Sequence, residues 1–142
     1  MCVNEALRWS LRRRTFGVPL TSHGVIRSSL AQALRSVEAS QSLIENLTYQ
    51  LMVMPPHVAL RALIGPIALA KGFASTTLEE AARVATKVMG SKGYTQGSLS
   101  ERLARDVRAI SIPAGSDEIL ADLAIRMAVR DAHLTSRSTS ML

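Results

Sequence analysis

The sequence predicts an all-α protein, an up-and-down bundle of the four-helix type. Apolar residues recur at three- and four-residue steps through most of the chain, the period of a helix with one buried face. Hydrophobic residues make up 47% of the 142 residues but aromatics only 4%, which suits close-packed helices better than a β-sandwich. Gly and Pro punctuate these periodic segments, leaving helices joined by short turns and no convincing strand.

Val3 to Arg14 puts Val3, Leu7 and Leu11 in an i, i+4, i+8 row with the arginines off it, and Gly17 and Pro19 stop the helix. It starts in pattern without a cap signal, so it reads as a first helix cut rather than begun. A long helix follows from Val25 to Met54, its apolar face made by Leu30, Leu34, Val37, Ile44, Leu47 and Leu51, with Glu38 and Glu45 on solvated flanks. Pro55 and Pro56 end it. His57 to Ile64 forms a short helix broken by Gly65, and Pro66 suits the first position of the next, Pro66 to Met89. That segment is dense in alanine (Ala68, Ala70, Ala74, Ala81, Ala82, Ala85), so a neighbouring helix can lie close to it. Gly90 closes it, and Ser91 to Thr95 turns. Leu99 to Ile110 is a charged helix with Leu103, Val107 and Ile110 on one face. The last helix, Asp117 to about His133, turns Ile119, Leu120, Leu123, Ala124 and Met127 inward and Asp122, Arg126 and Arg130 outward. Residues 1–134 thus form the bundle, and 135–142, rich in Ser, Thr and Arg, a flexible tail.

Composition narrows the function classes. One cysteine, Cys2, permits neither an intramolecular disulfide nor a thiolate metal cluster. His23, His57 and His133 stand far apart without acidic neighbours at ligand spacing, so no metal site is expected. Neither a Gly-x-Ser-x-Gly elbow nor a P-loop occurs. The net charge of +6 is densest at Arg12, Arg13 and Arg14 but otherwise dispersed, without interleaved aromatics. That pattern argues against nucleic acid and suits small polyanionic ligands. The first sixteen residues have the Arg-rich, amphipathic look of a transit peptide, but they run straight into the turn at Gly17, which favours a helix. The most apolar run, Val58 to Ala74, is interrupted by Arg61, Gly65, Pro66 and Lys71, so no membrane span is expected.

The turns carry the chemistry. In the last one Pro113 stiffens the loop, Gly115 permits close approach, and Ser116 can cap a helix whose first turn holds Asp117 and Glu118. Such a helix start presents backbone donors, though an ordinary helix connection has the same form. Two other stretches stand upstream: RRTFGVPL from Arg13 to Leu20 and KVMGSKGYT from Lys87 to Thr95.

In this order the three stretches resemble the C-terminal signatures of the acyl-CoA dehydrogenases, over nearly the whole chain. The first looks like that family's arginine-x-threonine-phenylalanine-glycine turn. The second is similar to its glutamine-x-x-glycine-glycine-x-glycine-tyrosine turn, with Lys87 for the glutamine and Ser91 for a glycine. In the third, Arg105 and Asp106 lead through Arg108 into a loop ending Gly115-Ser116.

The resemblance implies the helical C-terminal domain of an FAD-dependent enzyme that desaturates an acyl-CoA thioester, passing a hydride to flavin N5. By the same resemblance Arg13 and Thr15, with Phe16 beside them, contact FAD, often that of a neighbouring subunit. Gly90, Ser91 and Gly93 let backbone approach its dinucleotide portion, and Gly115, Ser116 and Glu118 meet the flavin. No catalytic residue is expected in this chain. Ala114 stands where many members carry the glutamate that takes the substrate's α-proton, and other branches place that glutamate upstream of Met1. Gly24 likewise replaces a cofactor-contacting glutamine. With the family's N-terminal and middle domains missing, the chain alone is expected to bind flavin weakly or not at all and to be inactive.

The implied partners are acyl-CoA and further copies in a homo-oligomer, the family tetramer; the electron acceptor stays open. A different class remains as the alternative, a non-catalytic bundle serving in oligomer assembly with related subunits. Mitochondrion, peroxisome and cytoplasm all fit, and secretion does not. The final Ser140-Met141-Leu142 lacks the basic residue of a peroxisomal tripeptide.

Overall fold

The computed structural model describes residues 1–110, 112–113 and 115–139, with side chains described as far as His133. Among the described residues seven helices and one minimal hairpin follow in order: α1 (Cys2–Arg12), β1 (Arg14–Thr15), β2 (Val18–Pro19), a 3-10 turn (Leu20–Ser22), α2 (Gly24–Val53), α3 (Pro56–Ala62), α4 (Ile64–Met89), α5 (Ser91–Tyr94), α6 (Leu99–Ile110) and α7 (Asp117–Thr139). The expected all-α bundle is present, and α4 is its axis, packing against α1, α2, α6 and α7.

The alanines make α4 that axis. Ala81 and Ala85, with Val84 and Val88, meet Cys2, Val3 and Ala6 of α1 and Leu30 and Ala33 of α2; Ile26, Val37 and Leu103 close the edges. Burial pushes the Cys2 thiol above its ordinary range. Toward the other end Ala70 joins Leu47, Ala59 and Leu63, and Ala68 joins Leu120 and Ala124. Small side chains on a central helix let neighbours approach on several sides at once.

Several sequence expectations change, and Ser91–Tyr94, read as part of a turn, forms the one-turn helix α5. First, a short hairpin replaces the strand-free turn after α1, pairing Arg14 with Pro19 and Thr15 with Val18. Its loop residues Phe16 and Gly17 have φ of 52° and 82°, and left-handed angles at both central positions are the type I′ signature that matches strand twist. Second, α4 starts at Ile64 rather than Pro66. Pro66 tolerates this because first-turn N–H groups have no helical acceptor. Gly65, expected as a breaker, instead lies against α7, where an added Cβ would be 3.4 Å from Met127 Cβ and 3.5 Å from the Ala124 carbonyl oxygen. The chain bends by 57° between α3 and α4. Third, the buried stripe of α1 is Val3, Ala6 and Ser10, while Leu7 and Leu11 are exposed. Close approach to α4 selects small residues at the contact and moves the leucines to the flanks. Leu34, Ile44, Leu51 and Ile110 are likewise half-exposed, and Ile119 keeps 61% of its surface in contact with solvent. Fourth, α7 continues to Thr139 rather than ending near His133; residues 140–142 lie outside the described ones.

The start of α6 follows from its cap. Ser98 Oγ accepts the Glu101 N–H at 3.2 Å and the Ser98 carbonyl accepts the Arg102 N–H, the N-cap arrangement that satisfies orphan donors. Among the described residues no single helix is long and apolar enough to cross a membrane.

Gly93 and Gly24 supply a matched test of packing. A Cβ on Gly93 would stand 2.9 Å from the Thr86 carbonyl oxygen and 3.0 Å from Thr86 Cα, whereas on Gly24 it would meet only Arg27 Nη2 at 3.9 Å. Gly93→Ala is expected to lower unfolding stability by about 1–3 kcal/mol, because backbone cannot step aside. Gly24→Ala should be neutral or stabilising by up to about 1 kcal/mol. Urea denaturation of both variants checks this.

Candidate functional site

The first turn is built where α1 stops. The Arg13 N–H donates to the Trp9 carbonyl at 2.9 Å, ending the helix, and the Leu20 N–H returns to the Arg13 carbonyl at 2.8 Å. Arg14 Nη2 reaches across the hairpin to the Gly17 carbonyl at 2.9 Å, bracing a loop in which Phe16 occupies a conformation costing a non-glycine residue about 1–3 kcal/mol. Thr15 Oγ1 lies 3.1 Å from His23 Nε2. Phe16 points into solvent, 97% exposed, with its ring in an edge-to-face arrangement with His23 at 6.3 Å between centroids.

The second turn follows α4. Gly90 has φ 60° and ψ −134°, and nothing lies within 4 Å of where its Cβ would be, so its backbone is bare to an approaching group. The Gly93 N–H donates to the Gly90 carbonyl at 2.9 Å. Thr95 Oγ1 donates to the Ser91 carbonyl at 2.8 Å.

These turns meet. A cleft of about 470 Å³ has Arg13 and Thr15 on one wall and Gly90 and Ser91 on the other, with Trp9 and Lys92 completing it over a floor of Val88 and Met89. Two cations, hydroxyl groups and a bare glycine backbone form a donor-rich surface suited to an anion. Gly93 and Phe16 stand outside this lining: Gly93 is buried under the turn, and Phe16 projects beyond it. Trp9, Lys92 and Thr95 join the lining although sequence reasoning left them out. Trp9 was within reach of it, since it precedes Arg13 by one helical turn on the same face.

The third turn lies elsewhere. Gly115, at φ 103°, accepts Lys71 Nζ at 3.2 Å through its carbonyl, and the Leu120 N–H donates to the Ser116 carbonyl at 3.0 Å, opening α7. Lys71 and Gly90 are separated along α4 by roughly 28 Å at the helical rise per residue. Gly115, Ser116 and Glu118 therefore do not share the cleft. Ala114 is outside the described residues. Arg105, from the charged helix leading into this turn, pairs with Glu101 of its own helix at 2.8 Å. Among the described residues no group of three or more His, Cys, Asp and Glu side chains is placed to hold a metal.

Comparison with known proteins gives a consistent result. The family profile described as acyl-CoA dehydrogenase, C-terminal domain, matches residues 1–129. Over 133 residues the chain is 37% identical to an acyl-CoA dehydrogenase of Emericella nidulans, a match covering 92% of this chain and 30% of that protein. Over 136 residues it is 35% identical to an acyl-CoA dehydrogenase of Alternaria alternata, covering 92% and 32% respectively. A crystal structure from Mycobacterium smegmatis, described as an acyl-CoA dehydrogenase, superposes with a TM-score of 0.83 at 28% identity, over 89% of this chain and 32% of that one. The chain thus spans about a third of the length of the relatives it matches.

The third turn carries a pH prediction. Glu118 is held below its ordinary value of 4.5, first by its own backbone N–H and then by the Ser116 hydroxyl. A depressed carboxyl contributes stability that is present above its unfolded value and lost as pH falls through the folded one. Carboxyl NMR titration should place the Glu118 midpoint below 4.5, with Ser116→Ala moving it upward. Glu118→Gln should flatten the acid-side fall in stability below that value.

Proposed function

We propose, from the premise that the chain belongs to the acyl-CoA dehydrogenase family as its C-terminal domain, that it forms one wall of the flavin site of an FAD-dependent enzyme that desaturates acyl-CoA thioesters. The observation that carries this is the cleft uniting Arg13 and Thr15 with Gly90 and Ser91.

The residues fit an anionic dinucleotide. Arg13 offers a planar fork to phosphate oxygens, Thr15 and Ser91 offer hydroxyl donors, Lys92 adds positive charge, and Gly90 lets a ligand reach backbone without meeting a side chain. When bound, FAD supplies the hydride acceptor for the desaturation. The chain's own residues bind and orient it. Position 114, where many family members carry the glutamate that takes the substrate's α-proton, holds an alanine, which has no titratable group and cannot act as that base.

The spacing of the turns bears on assembly. A cleft at one end of α4 and a third turn roughly 28 Å away suit two different flavins better than one. In a homo-oligomer each copy would give its cleft to one flavin and its third turn to another. Exposed apolar side chains support such association: Val25, Met52 and Val53 on α2, Leu60 on α3 and Ile125 on α7 are all more than half exposed. The assembly-only alternative rests on the same surfaces but gives the cleft no task.

Two measurements test these readings. Purified alone, the 142-residue chain is expected to be colourless, and a protein extended upstream of Met1, where its gene encodes further residues, should be yellow. Arg13→Ala in the extended protein should weaken flavin retention by about 10- to 100-fold, the loss of a charge-assisted hydrogen bond. An extended protein with no flavin absorbance overturns the enzyme reading. Sedimentation of that protein should show a homo-oligomer; a monomer overturns the shared-site arrangement.

A further inference from the structure

We propose that His23 is the positioning residue of the cleft, its Nε2–H donating to Thr15 Oγ1 so that the Thr15 hydroxyl keeps its own proton for an anionic ligand. This rests on the cleft being an anion site. The problem it solves is mechanical. The hairpin carrying Thr15 has only two residue pairs, and isolated two-stranded ribbons are marginal in water. Its loop also stores the strain of Phe16 at φ 52°. A hydroxyl on such a hairpin has a defined direction only if something rigid holds it.

His23 is the link to a rigid body. Its backbone N–H donates to the Leu20 carbonyl at 3.0 Å, and its own carbonyl accepts the Ile26 and Arg27 N–H groups at 3.1 and 3.2 Å. It thereby occupies the N-cap position of α2. Arg27 Nη1 fixes the same corner, donating to the Thr21 and Ser22 carbonyls at 2.9 and 2.8 Å. From that anchored backbone the imidazole reaches Thr15 Oγ1 at 3.1 Å and stands edge-on to Phe16 at 77°. Thr15 is β-branched, so holding its oxygen fixes the whole side chain.

The direction of the hydrogen bond follows from what the cleft must do. A hydroxyl has one proton and two acceptor sites. If Thr15 gave its proton to Nε2, it would present only lone pairs to an anion, opposing Arg13 and Lys92 on the same walls. With Nε2–H as donor, the threonine proton is free to join them.

The test uses the full 142-residue chain and adenosine diphosphate as probe, followed through the Thr15 and Gly90 amide shifts. Wild type is expected to bind weakly and saturably, with the His23 ring nitrogen shifts showing a protonated Nε2. His23→Gln, whose amide N–H can replace the donor, should bind within about threefold of wild type. His23→Leu and Thr15→Val should each lose about tenfold or more, and the double variant little beyond either single one. Equal binding by wild type and His23→Leu, or an Nδ1–H ring, overturns the role of His23 while leaving the cleft intact. No shift in wild type at millimolar probe overturns this proposal, while the flavin spectrum of the extended protein decides the cleft reading separately.

Discussion

Everything in this structure depends on how closely four helices can approach α4. Its buried positions are mostly Ala, Ser, Thr and Gly, with Val84, Val88 and Met89 the larger exceptions toward its end. A buried alanine contributes little transfer energy, about 0.8 kcal/mol for a methylene-sized group. What it gives is proximity, since short side chains bring neighbouring backbones together and let dispersion act over long stretches. The cost falls on those neighbours, which must also present small residues at the seam. Ala6 and Ser10 on α1, Ala33 on α2 and Ala124 on α7 do so.

That seam explains both what was legible in the sequence and what was not. Helix existence and extent could be read from apolar period and from Gly and Pro punctuation, and α6 coincides with its predicted span from Leu99 to Ile110. Helix orientation could not. Reading the largest apolar residues as inward chose Leu7 and Leu11 for α1, and that rule holds where cores fill with large side chains. Here the contact is made by small ones, and the leucines sit beside it. Ile119 also departs from its predicted place on α7, with Leu120 and Ala124 taking the contact.

The candidate site was legible in parts and not as a whole. The two turns that meet in the cleft were recognisable as separate short motifs, because each has its own glycine and its own donors. Their meeting depends on α1 running beside the end of α4, a tertiary fact that no local pattern encodes. Trp9 and Lys92 were missed for the same reason, being ordinary residues until the opposite wall is present. The hairpin escaped because two-residue strands leave no alternation to detect, and only the Phe16-Gly17 pair hinted at its turn.

The same axis that brings two turns together keeps the third away. A straight helix imposes distance as firmly as it permits contact, and nothing at its middle can bend round to its end. Lys71 ties the third turn to α4 through the Gly115 carbonyl, while Gly90 fixes the cleft at the helix terminus. Any ligand touching both must therefore be long, or the two must belong to different ligands. A dinucleotide spans part of that separation but must also curve into each turn. In the proposed arrangement both turns stay open and another molecule supplies the complementary walls. On that view the surface leucines and isoleucines are not failures of core formation. In the proposed homo-oligomer they would be the part of the packing problem that one copy of this bundle leaves to its neighbours.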